Sequence, residues 1–356
     1  MLISIAVFAI SLAVLILIHE FGHFLMGKLT GVEVEEFGIG YPPRLFGKKI
    51  GKTLYSINAI PAGGFVRFKG DIENPERGKG SLISAPLTTR ILIVVAGIIM
   101  NIVLGWLILV IGFNIGLPQT VLGSERGSSG KIIREIVVTE TKKESPAYLA
   151  GLSQGDIIIG AGSHLFSTGE DLKEFTAQHK GETVSLKIKR YGKIQIVPVK
   201  LAQKAPYLGV WYLEVERVKT AFKDSLILAT KETINVLKAV VVGIGQIFKT
   251  LVAERRVPEG VAGPVGIWFL FKTAVKMGTG YVLELIALIS LNLAILNFIP
   301  FPGLDGGRFL FLALEGIRRK KLRTEIENAI HLVGFIILIL LFLAITYRDI
   351  LQNIVK

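Results

Sequence analysis

Cysteine is absent from this 356-residue chain, which excludes a disulfide scaffold. Charge is scarce: 19% of residues are charged, against about 25% in a soluble domain. Hydrophobic residues make up 51% and the mean hydropathy is +0.57, so a wholly soluble protein is excluded and so is a disordered one. A wholly membrane-buried chain is excluded in turn, because the 41 basic and 28 acidic residues cluster in blocks. Acid is scarcer than base, leaving a net charge of +13. Membrane proteins retain Lys and Arg in cytoplasmic loops and meet anionic lipid, so this excess implies no nucleic-acid partner. The composition reads as an integral membrane protein with a soluble insert.

Three apolar runs are long enough for a bilayer crossing, which takes roughly 20 residues: Leu2 to Met26, Ile91 to Phe113 and the shorter His331 to Ile345, which Ala329 and Ile330 extend. A fourth run, Tyr281 to Leu314, is broken by Pro300-Phe301-Pro302-Gly303-Leu304-Asp305-Gly306-Gly307. Residues 1–26 have neither a basic n-region nor a small-residue cleavage site, so they read as a span rather than a cleaved signal. Four crossings are expected. Ten basic residues lie between Gly27 and Arg90, and Arg318, Arg319, Lys320, Lys321 and Arg323 lie between Glu315 and Ala329, so both loops are expected in the cytoplasm. Both termini and residues 114–280 then lie outside. Ser225 to Val252 is interrupted by Lys231, Glu232, Lys238, Gln246 and Lys249, which predicts an amphipathic helix on the outer membrane surface instead of a fifth span.

The chain divides into four stretches: 1–113, with two spans and a loop at about 27–90; 118–205, a β-rich insert; 206–280, a linker with the surface helix; and 281–356, with the last two spans. In the insert, Ile132, Ile136 and Val138 predict a strand. A short helix ends at Gly151, a turn follows at Gly155-Asp156, and a strand begins at Ile157. Asp171 to His179 predicts a helix, and Thr183 to Arg190 and Ile194 to Val199 predict strands around Tyr191-Gly192. The insert resembles a PDZ domain, and its Ser145-Pro146-Ala147…Ala150-Gly151-Leu152…Gly155-Asp156-Ile157-Ile158 string resembles the bacterial kind. Such domains take an extended chain end as an added strand; a ligand-free spacer of the same fold is the alternative.

Chemistry enters at His19-Glu20-Phe21-Gly22-His23, an HExxH motif on the first span. Positions four apart share a helix face, so His19 and His23 can grip one ion while Glu20 accepts a proton from water. Zinc suits two imidazoles and a carboxylate with a position left for water, whose pKa it lowers to about 7. Titratable groups in an apolar span cost several kcal/mol unless they have a function or a partner; a polar network that only packs helices is the bland alternative. Of the candidates for a third ligand, Glu284 lies towards the outer end of its run. Asp305 lies at the break, towards the cytoplasmic side and near the depth of His23. Pro300 and Pro302 prevent regular helix there, and Asp305 could alternatively cap a helix beginning at Gly306.

With these motifs in place, the chain resembles the site-2 protease family of intramembrane zinc metalloproteases, in particular its bacterial regulator-of-sigma-E-type (RseP-like) members. The likeness covers nearly the whole chain, including Asn297-Phe298-Ile299-Pro300-Phe301-Pro302-Gly303-Leu304-Asp305-Gly306, which matches the family's NxxPxPxLDG pattern. It implies that His19, His23 and Asp305 hold zinc, that Glu20 is the base, and that Asn297, with Pro300 and Pro302, serves substrate binding or the oxyanion. It also implies that Gly97 and Asn101 face the site, with Asn101 among the residues that meet substrate; without it they would read as helix packing. Leu54 to Ile60 and Gly64 to Lys69 alternate like two strands around Pro61-Ala62-Gly63. In the family such a cytoplasmic hairpin dips to the membrane, where an edge at Gly64 and Phe65 could pair with unwound substrate. Better-known members carry two PDZ domains and this chain has room for one. The implied substrates are single-span proteins already shortened outside, in a bacterial inner membrane. A membrane-anchored PDZ adaptor without catalysis is the competing class; metal transport would need ligands repeated along a path.

Overall fold

The computed structural model describes residues 2–71, 76–119, 131–254, 262–320 and 323–353. Residues 120–130 of the expected insert, 255–261 of the expected linker and Lys321 of the last basic loop lie outside these. The apolar runs form helices α1 (Leu2–Leu29) and α2 (Leu87–Ile115) before the insert. After it come α5 (Phe222–Glu254), α6 (Pro264–Met277), α7 (Thr279–Phe298), α8 (Asp305–Arg318) and α9 (Thr324–Asn353). Four of them, α1, α2, α7 and α9, are long and apolar enough to cross a membrane, as expected. On α9, Leu332, Phe335, Leu340 and Phe342 stand more than half exposed, an arrangement that lipid satisfies and water does not.

The chain folds as two units. One holds residues 2–106, 236–268 and 286–356, and includes the candidate site. In it the broken run does not resume as a span. Residues 299–304 form successive turns, with the Phe301 amide donating to the Ile299 carbonyl. α8 is a separate amphipathic helix of 14 residues, about 21 Å long and too short to cross. Asp305 is its first residue, not its cap: Leu304 holds the N-cap position without any side-chain hydrogen bond.

The loop after α1 also differs from expectation. Its strands are β1 (Val34–Ile50) and β2 (Thr53–Phe68), joined at Gly51-Lys52 with Gly51 at φ +60°. Residues 54–57 and 64–67 do not pair with each other across 61–63. Both flank residues 36–39, with 44–50 outside 53–58. The reason is local: Gly51 supplies the left-handed turn, while β2 continues past Gly63 and Gly64, whose missing side chains let it lie against Ile16 and Leu17 of α1.

The other unit holds residues 107–235 and 269–285. Strands β3 (Leu117–Gln119), β4 (Lys131–Thr141), β5 (Ile157–Ala161), β6 (His164–Leu165), β7 (Thr183–Arg190), β8 (Lys193–Lys200) and β9 (Val210–Lys219) form an antiparallel sheet in the order β3-β9-β4-β5-β7-β8, with β6 on β5. Alternation in β7 buries Val184, Leu186 and Ile188 against Ile136, Val138, Ile158 and Leu172. Short helices α3 (Pro146–Leu149) and α4 (Gly169–Gln178) close this core, the first capped by Ser145, the second by a Thr168–Asp171 capping box. The sheet extends beyond residue 205: β9, in the stretch expected as linker, pairs along the length of β4. Its alternation is masked by Glu214, Glu216 and Arg217, which pair with neighbours; Arg217 reaches Glu135 at 2.8 Å, and Tyr281 donates to the same carboxylate. Ala274, Met277 and Tyr281 pack on Val137, Ile157 and Val215, so the end of α6 and start of α7 are part of this unit's core.

Candidate metal centre

Helical spacing puts His19 and His23 on one face of α1, their rings 4.7 Å apart and nearly perpendicular. Their Nε2 atoms stand 3.1 Å from each other. Asp305 Oδ2 lies 2.8 Å from His19 Nε2 and 3.3 Å from His23 Nε2. Donors held about 2.0–2.1 Å from a tetrahedral zinc ion are themselves about 3.3 Å apart, so the three atoms form one face of a coordination shell of the right size. His19 is buried, and His23 and Asp305 expose only 12% and 17% of their side chains. Glu20 is half-buried, and its carboxylate lies within 4.8 Å of the two histidine donors.

The far side of each imidazole is also engaged. His23 Nδ1 is 2.7 Å from the Ile93 carbonyl, and His19 Nδ1 is 3.3 Å from the Asn101 amide. Both partners are on α2, which comes this close because two glycines face each other's helix. A β-carbon on Gly22, inside the HExxH motif, would collide with the Ala96 carbonyl; one on Gly97 would strike both imidazoles. On the other side, Gly303 donates its amide to His331 Nδ1 on α9 at 2.9 Å, and Gly334 abuts the Pro302 carbonyl.

Of the candidate site residues, the structure brings together His19, Glu20, His23, Asp305 and Asn101. Asn297 is half-buried in the last turn of α7, and exposed Pro300 and half-buried Pro302 belong to the break. Gly64 is buried against Leu17, and Phe65 covers Gly38 and stacks on Tyr41 at 6.2 Å. Three participants were not anticipated from the sequence. Arg308, one turn along α8 from Asp305, interacts electrostatically with Glu20, and a cation three residues after the aspartate was a readable signal. Tyr41 has its phenol pushed up by burial, with the Glu20 charge adding to the effect. His331 carried no motif at all.

Two imidazoles, an aspartate and a nearby glutamate among apolar helices define a class, the membrane-embedded metallohydrolases. The profile of peptidase family M50 matches residues 7–341. A Clostridium perfringens chain whose name includes the words zinc metalloprotease is 34% identical over 96% of this chain and 97% of its own length. Zinc metalloprotease RasP of Geobacillus kaustophilus is 27% identical over 98% and 97%. The chloroplastic membrane metalloprotease ARASP of Arabidopsis thaliana is 29% identical over 96% of this chain and 77% of its own. The chain therefore belongs to peptidase family M50, the site-2 protease family of intramembrane zinc metalloproteases.

Proposed function

We propose that this zinc metalloprotease cuts the membrane-spanning segments of single-span proteins already shortened on the outer side, such as an anti-sigma factor or a signal-peptide remnant. The observation that supports the reading best is the meeting of His19, His23 and Asp305 donor atoms within 2.8–3.3 Å beside Glu20. In it, His19, His23 and Asp305 hold the metal. Bound zinc supplies Lewis acidity, polarising a carbonyl and acidifying water. Glu20 accepts a proton from water as the water oxygen bonds to the scissile carbonyl carbon, and passes that proton to the departing amide nitrogen as the C–N bond breaks. Asn297, Pro300 and Pro302 contribute the substrate-facing wall of the break, and Gly64 and Phe65 the strand against which an unwound substrate lies. The β unit is a PDZ domain outside the membrane that takes a chain end. With it lie both termini, while the catalytic residues sit towards the cytoplasmic side of a bacterial inner membrane.

The test is cleavage, in detergent, of a single-span helix whose outer domain has been removed. Wild type is expected to cut it, and Glu20→Gln and chelator-treated wild type to fall by about 10²–10⁴-fold. Equal cutting by Glu20→Gln would remove Glu20 from the role of base. A wild type that binds neither zinc nor substrate helix, yet captures exported chain ends, would make the protein an adaptor.

A further inference from the structure

We propose that Asn101 is a positioning residue that fixes His19 in the tautomer able to bind zinc; the inference rests on the ligand assignment above. A neutral imidazole carries one N–H. For Nε2 to offer its lone pair to a metal, the proton must sit on Nδ1, and buried Nδ1–H needs an acceptor. His23 has one that no side-chain substitution removes, the Ile93 backbone carbonyl at 2.7 Å. Among the described residues, the partner of His19 Nδ1 is the Asn101 amide, at 3.3 Å.

Asn101 is 1% exposed. With its Nδ2 turned to His19, two donors would face each other, and its Oδ1 is then a buried acceptor with no hydrogen bond among the described residues. A half-turn of the amide, which leaves its shape unchanged, removes the donor–donor contact: Oδ1 accepts from His19 Nδ1–H. The freed NH₂ then points where the orphaned oxygen stood. The residue is well anchored for this duty, since Ser290 on α7 donates to the Asn101 backbone carbonyl at 2.7 Å. Opposite it, Asp305 at 2.8 Å from Nε2 draws the ring proton the other way when no metal is present. Asn101 is the group that biases His19 against that tautomer. This places Asn101 behind a ligand, and not, as the family likeness alone implied, against substrate.

The experiment measures zinc affinity of the full-length detergent-solubilised protein by chelator competition, with thermal unfolding of each zinc-free form as the folding control. Four proteins are compared: wild type, Asn101→Leu, Asn101→Asp and His19→Ala. Asn101→Leu keeps the volume and removes the acceptor, and is expected to weaken zinc by about 10–100-fold. Asn101→Asp keeps an acceptor oxygen and is expected to bind zinc at least as tightly as wild type. A purely structural role would be filled by Leu, so wild-type affinity in Asn101→Leu overturns the proposal, as does an equal loss in Asn101→Asp. His19→Ala separates the two levels: if it loses zinc while Asn101→Leu does not, only the positioning role falls. If His19→Ala binds zinc like wild type, the ligand assignment falls, and this inference with it.

Discussion

The donors of the candidate centre are supported in two opposite ways. His19 and His23 ride on an unbroken helix, where the backbone itself guarantees that residues four apart share a face. Asp305 opens a short helix after six residues of turns, and nothing in its local sequence sets its distance from any histidine. Its place is set by contacts to a distant segment: the Gly303 amide on His331 and the Pro302 carbonyl against Gly334 of α9. A regular helix delivers geometry cheaply but only along its own axis. Bringing in a candidate donor 286 residues away takes a break in the helix, and that break is buttressed.

This contrast can be broken or sharpened by substitution. The largest loss is expected from the donors themselves: His23→Ala and Asp305→Ala should each weaken zinc by more than about 100-fold, beyond what an outer partner costs. Chelator competition reads this directly, and near-wild-type affinity in Asp305→Ala would take the break out of the metal site. Next is Gly97→Leu, which drives a side chain into both imidazoles. Overpacking should cost about 1–3 kcal/mol of stability together with most of the zinc affinity. In the β unit, Arg190 reaches the fully buried Asp156 by two hydrogen bonds. Arg190→Met should cost about 3–5 kcal/mol there, seen as a lowered unfolding midpoint, without moving zinc affinity. A parallel loss of zinc would show that the two units are not independent.

His331→Phe tests the buttress. It removes the partner of the exposed Gly303 amide, a bond worth about 0.5–1.5 kcal/mol, and should weaken zinc by about 10-fold while His331→Asn restores part of the loss. Unchanged affinity would leave Asp305 positioned by the break alone. The smallest effect belongs to Thr168→Ala, about 1 kcal/mol from the lost α4 cap. The Asp171 carboxyl in that capping box is held below the usual carboxylate range, first by the Ser167 amide and then by that of Thr168. Its contribution is therefore present above the unfolded pKa of about 3.9 and lost as pH falls through the lower folded value. Acid titration of wild type against Asp171→Asn should show that loss only in the wild type.

Legibility followed the range of the interaction. The four apolar helices, the HExxH face, and the strands β5 and β7 could be read because each depends on neighbours within a few residues. β9 could not, since Glu214, Glu216 and Arg217 look solvated until β4 supplies partners such as Glu135. The two-strand reading of 54–69 failed because Pro61-Ala62-Gly63 resembles a turn, whereas Gly63 and Gly64 there serve close contact with α1. Capping by Asp305 was a sound local expectation that the longer-range pull of His19 overrode.

By itself the sequence determined that the chain crosses a membrane, that two histidines and a glutamate share a helix face, and that an aspartate follows a break in a later apolar run. Periodicity and hydropathy suffice for these, being properties of contiguous residues. Only the tertiary structure decided that Asp305 meets both histidines, that Ile93 and Asn101 stand behind them, and that His331 and Gly334 brace the break. Those contacts join residues 28 to 286 positions apart, and no local rule carries a distance across such a gap.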